Sequence, residues 1–75
     1  MTIYDRKRRI ERLESIYKTL NEEETDIIAE FGEEYGQSDN WDSDTTSGFN
    51  NLHDPLKRAM DNIWNMKEAI RQGLL

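Results

Sequence analysis

The sequence predicts an all-α fold in which a long N-terminal helix and a shorter C-terminal helix form an antiparallel hairpin around an irregular acidic loop. Apolar residues recur at helical spacing at both ends of the chain, no segment alternates as a strand does, and turn-forming residues are concentrated in the middle. Residues 1–75 are short enough to form one small domain, and the absence of cysteine leaves its core without a disulfide. We therefore expect dimerisation to complete the fold.

The first helix is predicted over residues 2–35. Thr2 followed by Asp5 matches a capping box, which favours a helix start at this point. An apolar stripe with a seven-residue repeat follows, and it is interrupted at Arg6 and Glu24. The stripe consists of Ile3, Ile10, Leu13, Tyr17, Leu20, Ile27 and Phe31.

The continuity of this helix has two interpretations. Asn21 precedes three glutamates, and this pattern is typical of an N-cap with acids in the first turn of a new helix. The apolar stripe nevertheless keeps its phase across Asn21, so we favour one helix, with a bend near this residue or a division in two as the alternatives. Gly36 is the expected C-terminal stop.

A loop and a second helix are predicted for the rest of the chain. Residues 36–53 are rich in Gly, Ser, Asn, Asp and Thr without periodicity, which is typical of an irregular loop. The second helix is predicted over residues 54–73, with Asp54 as N-cap, Pro55 at the first helical position and Gly73 as the stop. At about 28 Å against about 50 Å, it would leave part of the first helix uncovered. The predicted dimer interface consists of Ile3, Ile10, Leu13, Tyr17 and Leu20.

Charge is distributed unevenly along the chain. Residues 1–20 carry six bases and three acids, residues 21–51 carry ten acids and no base, and residues 52–75 carry four bases and three acids. The sum of +3, −10 and +1 is the net charge of −6. Acids stand four residues from bases in the basic head and no aromatic residue interleaves with them, so we expect a salt-bridged surface and no direct nucleic-acid binding.

No catalytic, metal or cofactor site is predicted. The sole histidine, His53, has no apparent nucleophile to activate, and two helices offer no concave site that would separate the pKa values of paired carboxylates. A calcium loop starting at Asp42 would need glycine at position 6 and glutamate at position 12, where the chain has Ser47 and His53. We therefore expect the protein not to be an enzyme.

Membrane insertion and secretion are not expected. No apolar run approaches the roughly 18 residues of a membrane span, and the N-terminus lacks the apolar region of a signal peptide. These observations predict a cytoplasmic location.

The acidic middle segment is the predicted partner-binding site. Its carboxylates would steer a basic partner protein, and its aromatic rings would provide buried anchors. The predicted contact residues are Glu30, Glu33, Glu34, Tyr35, Asp39, Trp41, Asp42, Asp44 and Phe49. The competing interpretation is that the rings fold back on the first helix as a small additional core. The function predicted from these features is binding, with inhibition or modulation, of another macromolecule.

Two other functions are compatible with the same residues. Carboxylates along a helix imitate the phosphates of duplex DNA, so the protein would occupy the basic groove of a nucleic-acid enzyme. In general character the chain then resembles small acidic helical proteins with which phages and mobile elements disarm host enzymes. Alternatively, the apolar stripe of the first helix mediates the assembly of a helical bundle, and the acids only solubilise it. The carboxylates of the DNA-mimic interpretation are Glu22, Glu23, Asp26, Glu30, Glu33 and Glu34.

Overall fold

The computed structural model describes residues 2–73 as two long helices joined by a short connection. Helix α1 spans Ile3–Tyr35, a 3-10 helix spans Ser38–Asn40, and helix α2 spans Ser43–Arg71. The two long helices pack against each other as an antiparallel hairpin that measures 51 × 18 × 14 Å. The all-α prediction is confirmed, since the described residues contain no strand, whereas dimerisation stays a prediction.

Helix α1 is continuous, as the constant phase of the apolar stripe across Asn21 predicts. The expected capping box is present, because the Thr2 hydroxyl oxygen accepts the backbone N–H of Asp5 at 3.1 Å and the Asp5 carboxylate accepts the backbone N–H of Thr2 at 3.4 Å. The Asp5 carboxylate also accepts from the Thr2 hydroxyl at 2.9 Å. These hydrogen bonds lower the pKa of Asp5. At the other end Gly36 has φ of +77° and donates its N–H to the Gly32 carbonyl, so glycine suits this stop.

Helix α2 starts much earlier than predicted, so both the irregular loop over residues 36–53 and the helix start at Asp54 are wrong. Ser43 is the first helical residue. The carboxylate of Asp42 accepts the backbone N–H of Thr45 at 2.7 Å, and this hydrogen bond caps the helix and lowers the pKa of Asp42.

Tertiary packing explains the early start of α2. Phe49 and His53 extend the three- and four-residue spacing of Leu56 and Met60, so they lie on the face of α2 that packs against α1. The apolar contacts of this face outweigh the low helix propensity of the preceding Ser, Thr and Gly residues. Pro55 consequently lies inside α2, exposed to solvent, instead of at its first position.

The core runs along the seam between the two helices. Its buried residues are Leu13 and Ile27 from α1 and Met60 and Ile70 from α2. With 29 residues against 33, α2 is nearly as long as α1, so the expected uncovered part of α1 is reduced to its start, where Ile3 and Tyr4 are exposed. Neither helix has an apolar stretch that is long enough to cross a membrane.

The predicted dimer-interface residues are distributed over this seam. Leu13 is buried between the helices of its own chain, and Tyr17 packs against Trp64 with ring centroids 5.7 Å apart. Ile10 and Leu20 are half-buried, whereas Ile3 is exposed at the open end of the hairpin. The structure therefore uses most of this stripe within the monomer.

Candidate partner-binding site

Four aromatic rings close the hairpin where α1 turns towards α2. Phe31 lies at their centre, with its ring centroid 5.4 Å from Tyr35, 5.7 Å from Trp41 and 5.3 Å from Phe49. Trp41 and Phe49 also contact each other, at 5.1 Å. Such tilted and edge-on pairs add about 0.5–1.5 kcal/mol each beyond the burial of their surface. We call these four residues the aromatic cluster.

Trp41 packs inward. Its indole N–H donates to the carbonyl of Gly36 at 2.9 Å, and its ring packs against Phe31 and Phe49. Trp41 and Phe49 are each half-buried, so they connect the two helices and still expose part of their surface. The rings thus fold back on α1, as the competing interpretation of the sequence has it, and Tyr35 remains 44% exposed.

A polar pair lies beside the aromatic cluster, inside the seam. Glu24 and His53 are joined by a 2.7 Å contact between the Glu24 Oε2 and His53 Nε2 atoms, and the His53 ring stacks on Phe49 at 4.9 Å. The His53 Nδ1 atom is 3.7 Å from the Asp54 carboxylate, which is too long for a hydrogen bond. An ionised carboxylate only accepts, so a hydrogen bond in this pair requires a proton on Nε2 of His53.

A shallow apolar groove of about 380 Å³ opens beside the aromatic cluster. We call it the acidic-end groove, and it is lined by Ile28, Gly32, Gly36, Gln37, Ser38, Trp41 and Phe49. Ile28 is half-exposed on one wall, and Trp41 and Phe49 form the other. The groove therefore offers apolar surface within the most acidic part of the chain.

Gly32 lines this groove, although neither the packing of the chain nor the backbone conformation requires a glycine at this position. It is inside α1 without a positive φ, and a Cβ atom at this position would meet no atom within 4 Å. Glycine inside a helix costs about 1 kcal/mol relative to alanine. The absence of a side chain here keeps the groove open.

The predicted carboxylates surround this end of the hairpin without neutralisation. All six are exposed to solvent, and Asp42 differs from the others because its carboxylate caps α2. Within residues 2–73, none of the six carboxylates takes part in an ion pair. The other five are Glu30, Glu33, Glu34, Asp39 and Asp44.

The sequence interpretation missed Ile28, Gly32 and the Glu24–His53 pair. Glu24 interrupts the stripe of α1, and His53 interrupts the stripe that Phe49 begins in α2. Two matching polar gaps in facing stripes are the signal that would have revealed the pair. No comparable signal marks Gly32, whose importance depends on the position of Trp41.

Metal chemistry finds no support among the described side chains. Residues 2–73 contain no group of three or more His, Cys, Asp or Glu side chains arranged to hold a metal ion.

The chain matches no family model, no curated protein and no solved structure. The interpretation of the site therefore rests on its own geometry and charge.

Proposed function

We propose that this protein is a non-enzymatic interaction module whose acidic end binds a basic surface of another protein and thereby inhibits or modulates it. The observation that carries this proposal is the acidic-end groove, an apolar groove of about 380 Å³ within a segment of ten acids and no base. Exposed apolar surface beside uncompensated charge is typical of binding sites. The cytoplasm remains the expected location.

The groove and the carboxylates have separate roles in this proposal. The carboxylates raise the rate of encounter with a basic partner and orient it, which makes the association dependent on salt. The groove then takes an apolar side chain of the partner against Trp41 and Phe49, where exclusion of water supplies most of the affinity. Gly32 lets the partner approach the backbone of α1 closely.

A matched pair of glycine variants tests the proposal. Gly32→Leu adds an apolar side chain inside the groove, and its Cβ atom meets no atom within 4 Å. Gly48→Leu makes the same change in α2, where a Cβ atom also meets no atom within 4 Å and the residue does not line the groove. The immobilised variants and wild type are used to capture proteins from a lysate of the native host at low and at high salt.

We expect one protein to be captured by wild type and by Gly48→Leu, to be lost with Gly32→Leu, and to bind less at high salt. Equal capture by all three baits would place the contact outside the groove. Capture that is indifferent to salt would contradict the role given to the carboxylates.

The DNA-mimic form of the proposal is a narrower version of the same function. It is supported by the exposure of all six of its carboxylates on the described surface. This form predicts that duplex DNA competes with the protein for the captured partner, because both occupy one basic groove. A partner that duplex DNA does not displace is bound through an ordinary protein–protein contact.

Assembly is the second candidate function. It is supported by large apolar side chains that remain about half exposed along the hairpin, among them Ile16, Leu52 and Met66. Isolated exposed residues are normal, but these three share one side of the molecule. In this second function the hairpin acts as a homodimer, and its acids keep the assembly in solution.

A further inference from the structure

A two-helix hairpin is a single layer, and stable domains are built from at least two layers around one core. Here the seam between the helices buries only four apolar side chains in residues 2–73, namely Leu13, Ile27, Met60 and Ile70. A chain of this size without disulfides usually gains stability by association. We therefore expect one broad face of the hairpin to pack against another protein surface. The two faces differ in the charged and apolar side chains that they expose.

The first face is identified by a groove that both helices line. Glu14 and Asn21 of α1 and Trp64 and Lys67 of α2 lie around this groove of about 280 Å³. Ile28 is seven residues beyond Asn21, so the acidic-end groove opens on the same side. Here the Lys67 ammonium covers the ring of Trp64, at 3.8 Å from its centroid.

The opposite face presents an uncharged stripe of α2. At helical spacing this flank carries no ionisable side chain over its whole length, and Leu52 and Met66 on it are about half exposed. The flank of α2 on the first face, by contrast, carries Lys57, Asp61 and Arg71. The uncharged stripe consists of Leu52, Pro55, Ala59, Asn62, Met66 and Ala69.

The flank of α1 beside the uncharged stripe carries two groups of like charge, with one further acid beyond them at each end, Asp5 and Glu30. Arg9 and Arg12 precede Ile16, and these three residues line one surface depression. Glu23 and Asp26 follow at the same helical positions in the second half of α1. All four charged side chains of the two groups are exposed, and within residues 2–73 none of them forms an ion pair.

We propose that a second copy of this chain covers this face, with the two α1 helices antiparallel, forming a four-helix bundle with two-fold symmetry. Basic residues of one α1 then lie against acidic residues of the other, because the two groups are equidistant from the middle of this flank. A two-fold axis between Ile16 and Thr19 pairs Arg12 with Glu23 of the second copy. The same axis pairs Arg9 with Asp26, and it brings the two outer acids, Asp5 and Glu30, level with each other at the ends of the interface.

The uncharged stripe fits the same axis. In the hairpin Tyr17 lies beside Trp64, so the middle of the α1 flank lies level with the segment of α2 between Ala59 and Met66. The axis therefore brings Met66 of one copy against Ala59 of the other, a large side chain against a small one. Both helices thus indicate one register, although charge indicates it in α1 and side-chain size in α2.

The available area is sufficient for a stable dimer. The broad face of a hairpin that measures 51 × 18 × 14 Å covers roughly 900 Å². A standard stable interface buries about 800 Å² on each partner. The acidic-end groove lies on the opposite face and remains open, so this inference rests on the second candidate function and does not require the partner-binding proposal.

Exchange of the Arg12 and Glu23 charges tests the register. Within one chain these residues are about 16 Å apart along α1, which is beyond the screening length at 0.1 M salt. Arg12→Glu alone and Glu23→Arg alone each place like charges at two symmetric positions of the dimer. We expect each single variant to weaken the dimer about tenfold, and the double variant to return it to within about twofold of wild type.

Sedimentation equilibrium measures the dimer dissociation constants, and circular dichroism verifies that each variant keeps the helicity of wild type. Lys18→Glu, on the first face, and Glu22→Arg, on the outer surface of α1, make the same charge changes away from the proposed contact, and we expect both to leave the dimer unchanged. A wild-type chain that is monomeric at all accessible concentrations overturns the proposal. A double variant that is no stronger than the single variants also overturns it, because only contact between two copies produces the rescue.

Discussion

Glu24 and His53 form a polar pair at positions of the seam where the pattern of both helices calls for apolar side chains. Side chains of this type are less stabilising than an apolar pair, but they tolerate only one register, because a shifted helix leaves each without its partner. We infer that the pair fixes the alignment of α2 on α1. The stacking of His53 on Phe49 ties that alignment to the aromatic cluster.

Replacement of one partner tests this inference. His53→Leu leaves the Glu24 carboxylate in the seam without its donor, and we expect the free energy of unfolding to fall by about 1–3 kcal/mol. In the double variant Glu24→Leu, His53→Leu no polar group is left unpaired, so the stability should return to that of wild type or exceed it. Urea denaturation followed by circular dichroism measures both. A single variant as stable as wild type would show that the pair does not restrain the seam.

Asp42 determines where α2 begins, and its ionised form is the one that accepts the hydrogen bond from Thr45. Because this bond lowers the pKa of Asp42 in the folded state, its contribution to stability is present above the unfolded pKa and is lost as the pH falls through the folded pKa. We therefore expect the first turn of α2 to fray in acid. The chemical shift of the Thr45 amide reports this directly.

Two variants separate capping from titration at Asp42. Asp42→Ser keeps a side-chain acceptor that does not titrate, so the Thr45 amide should show much less change in acid. Asp42→Ala removes the acceptor, and the first turn should be frayed at every pH. If Asp42→Ser retained the full acid response of wild type, a group other than Asp42 would be responsible.

At the scale of elements, α1 was predictable and the start of α2 was not. The capping box at Thr2, the constant phase of the apolar stripe and Gly36 all indicate the same helix, so local and tertiary preferences agree along α1. In the segment from Ser43 to Gly48 the local preference is for turns, and a packed face that begins only at Phe49 overrides it. Asp54 and Pro55 are a strong helix-start signal, and here they lie inside a helix that started earlier.

The candidate site was likewise predictable only where the local sequence pattern determines it. Its carboxylates follow from composition, and they lie exposed at the end of the hairpin, as a charge pattern alone suggests. The acidic-end groove depends on how Trp41 returns to Phe31 across the connection, which no local pattern encodes. The sequence alone therefore gives no sign that Gly32 belongs to a site, whereas in the structure this residue lines the acidic-end groove.

Pro55 is a defect of α2 whose removal should stabilise the protein. Proline lacks the N–H that would bond to the carbonyl of Asn51, and inside a helix it costs about 3 kcal/mol relative to alanine. Since Pro55 is exposed, Pro55→Ala should raise the free energy of unfolding by about 1–3 kcal/mol, or the melting temperature by several degrees. Gly48→Ala, at another open helical position, should add up to about 1 kcal/mol. A loss of stability in Pro55→Ala would show that the shape imposed by proline is required.

At the scale of the whole molecule, the hairpin separates its chemistry onto two faces. The face with the acidic-end groove combines apolar surface with nearby acids, and the opposite face combines the uncharged stripe with two charge groups of opposite sign. The first arrangement fits a basic partner, and the second fits a copy of itself. A dimer built in this way would present two acidic-end grooves on its outer surfaces.

The exposed isoleucines on the two faces distinguish these surfaces. Ile28, in the acidic-end groove, is 50% exposed, and Ile16, beside the uncharged stripe, is 46% exposed. The changes Ile28→Lys and Ile16→Lys therefore alter net charge, side-chain type and exposed apolar surface by nearly the same amounts. Any difference between them in partner binding reflects the face on which the residue lies.

Capture of the basic partner by these two baits, at equal loading and low salt, is the most direct test of the proposed binding site. We expect Ile16→Lys to capture the partner as wild type does and Ile28→Lys to lose it, because a lysine in the groove repels a basic partner and removes an apolar contact. Undiminished capture by Ile28→Lys, or loss with Ile16→Lys alone, would contradict the assignment of partner binding to the acidic-end groove.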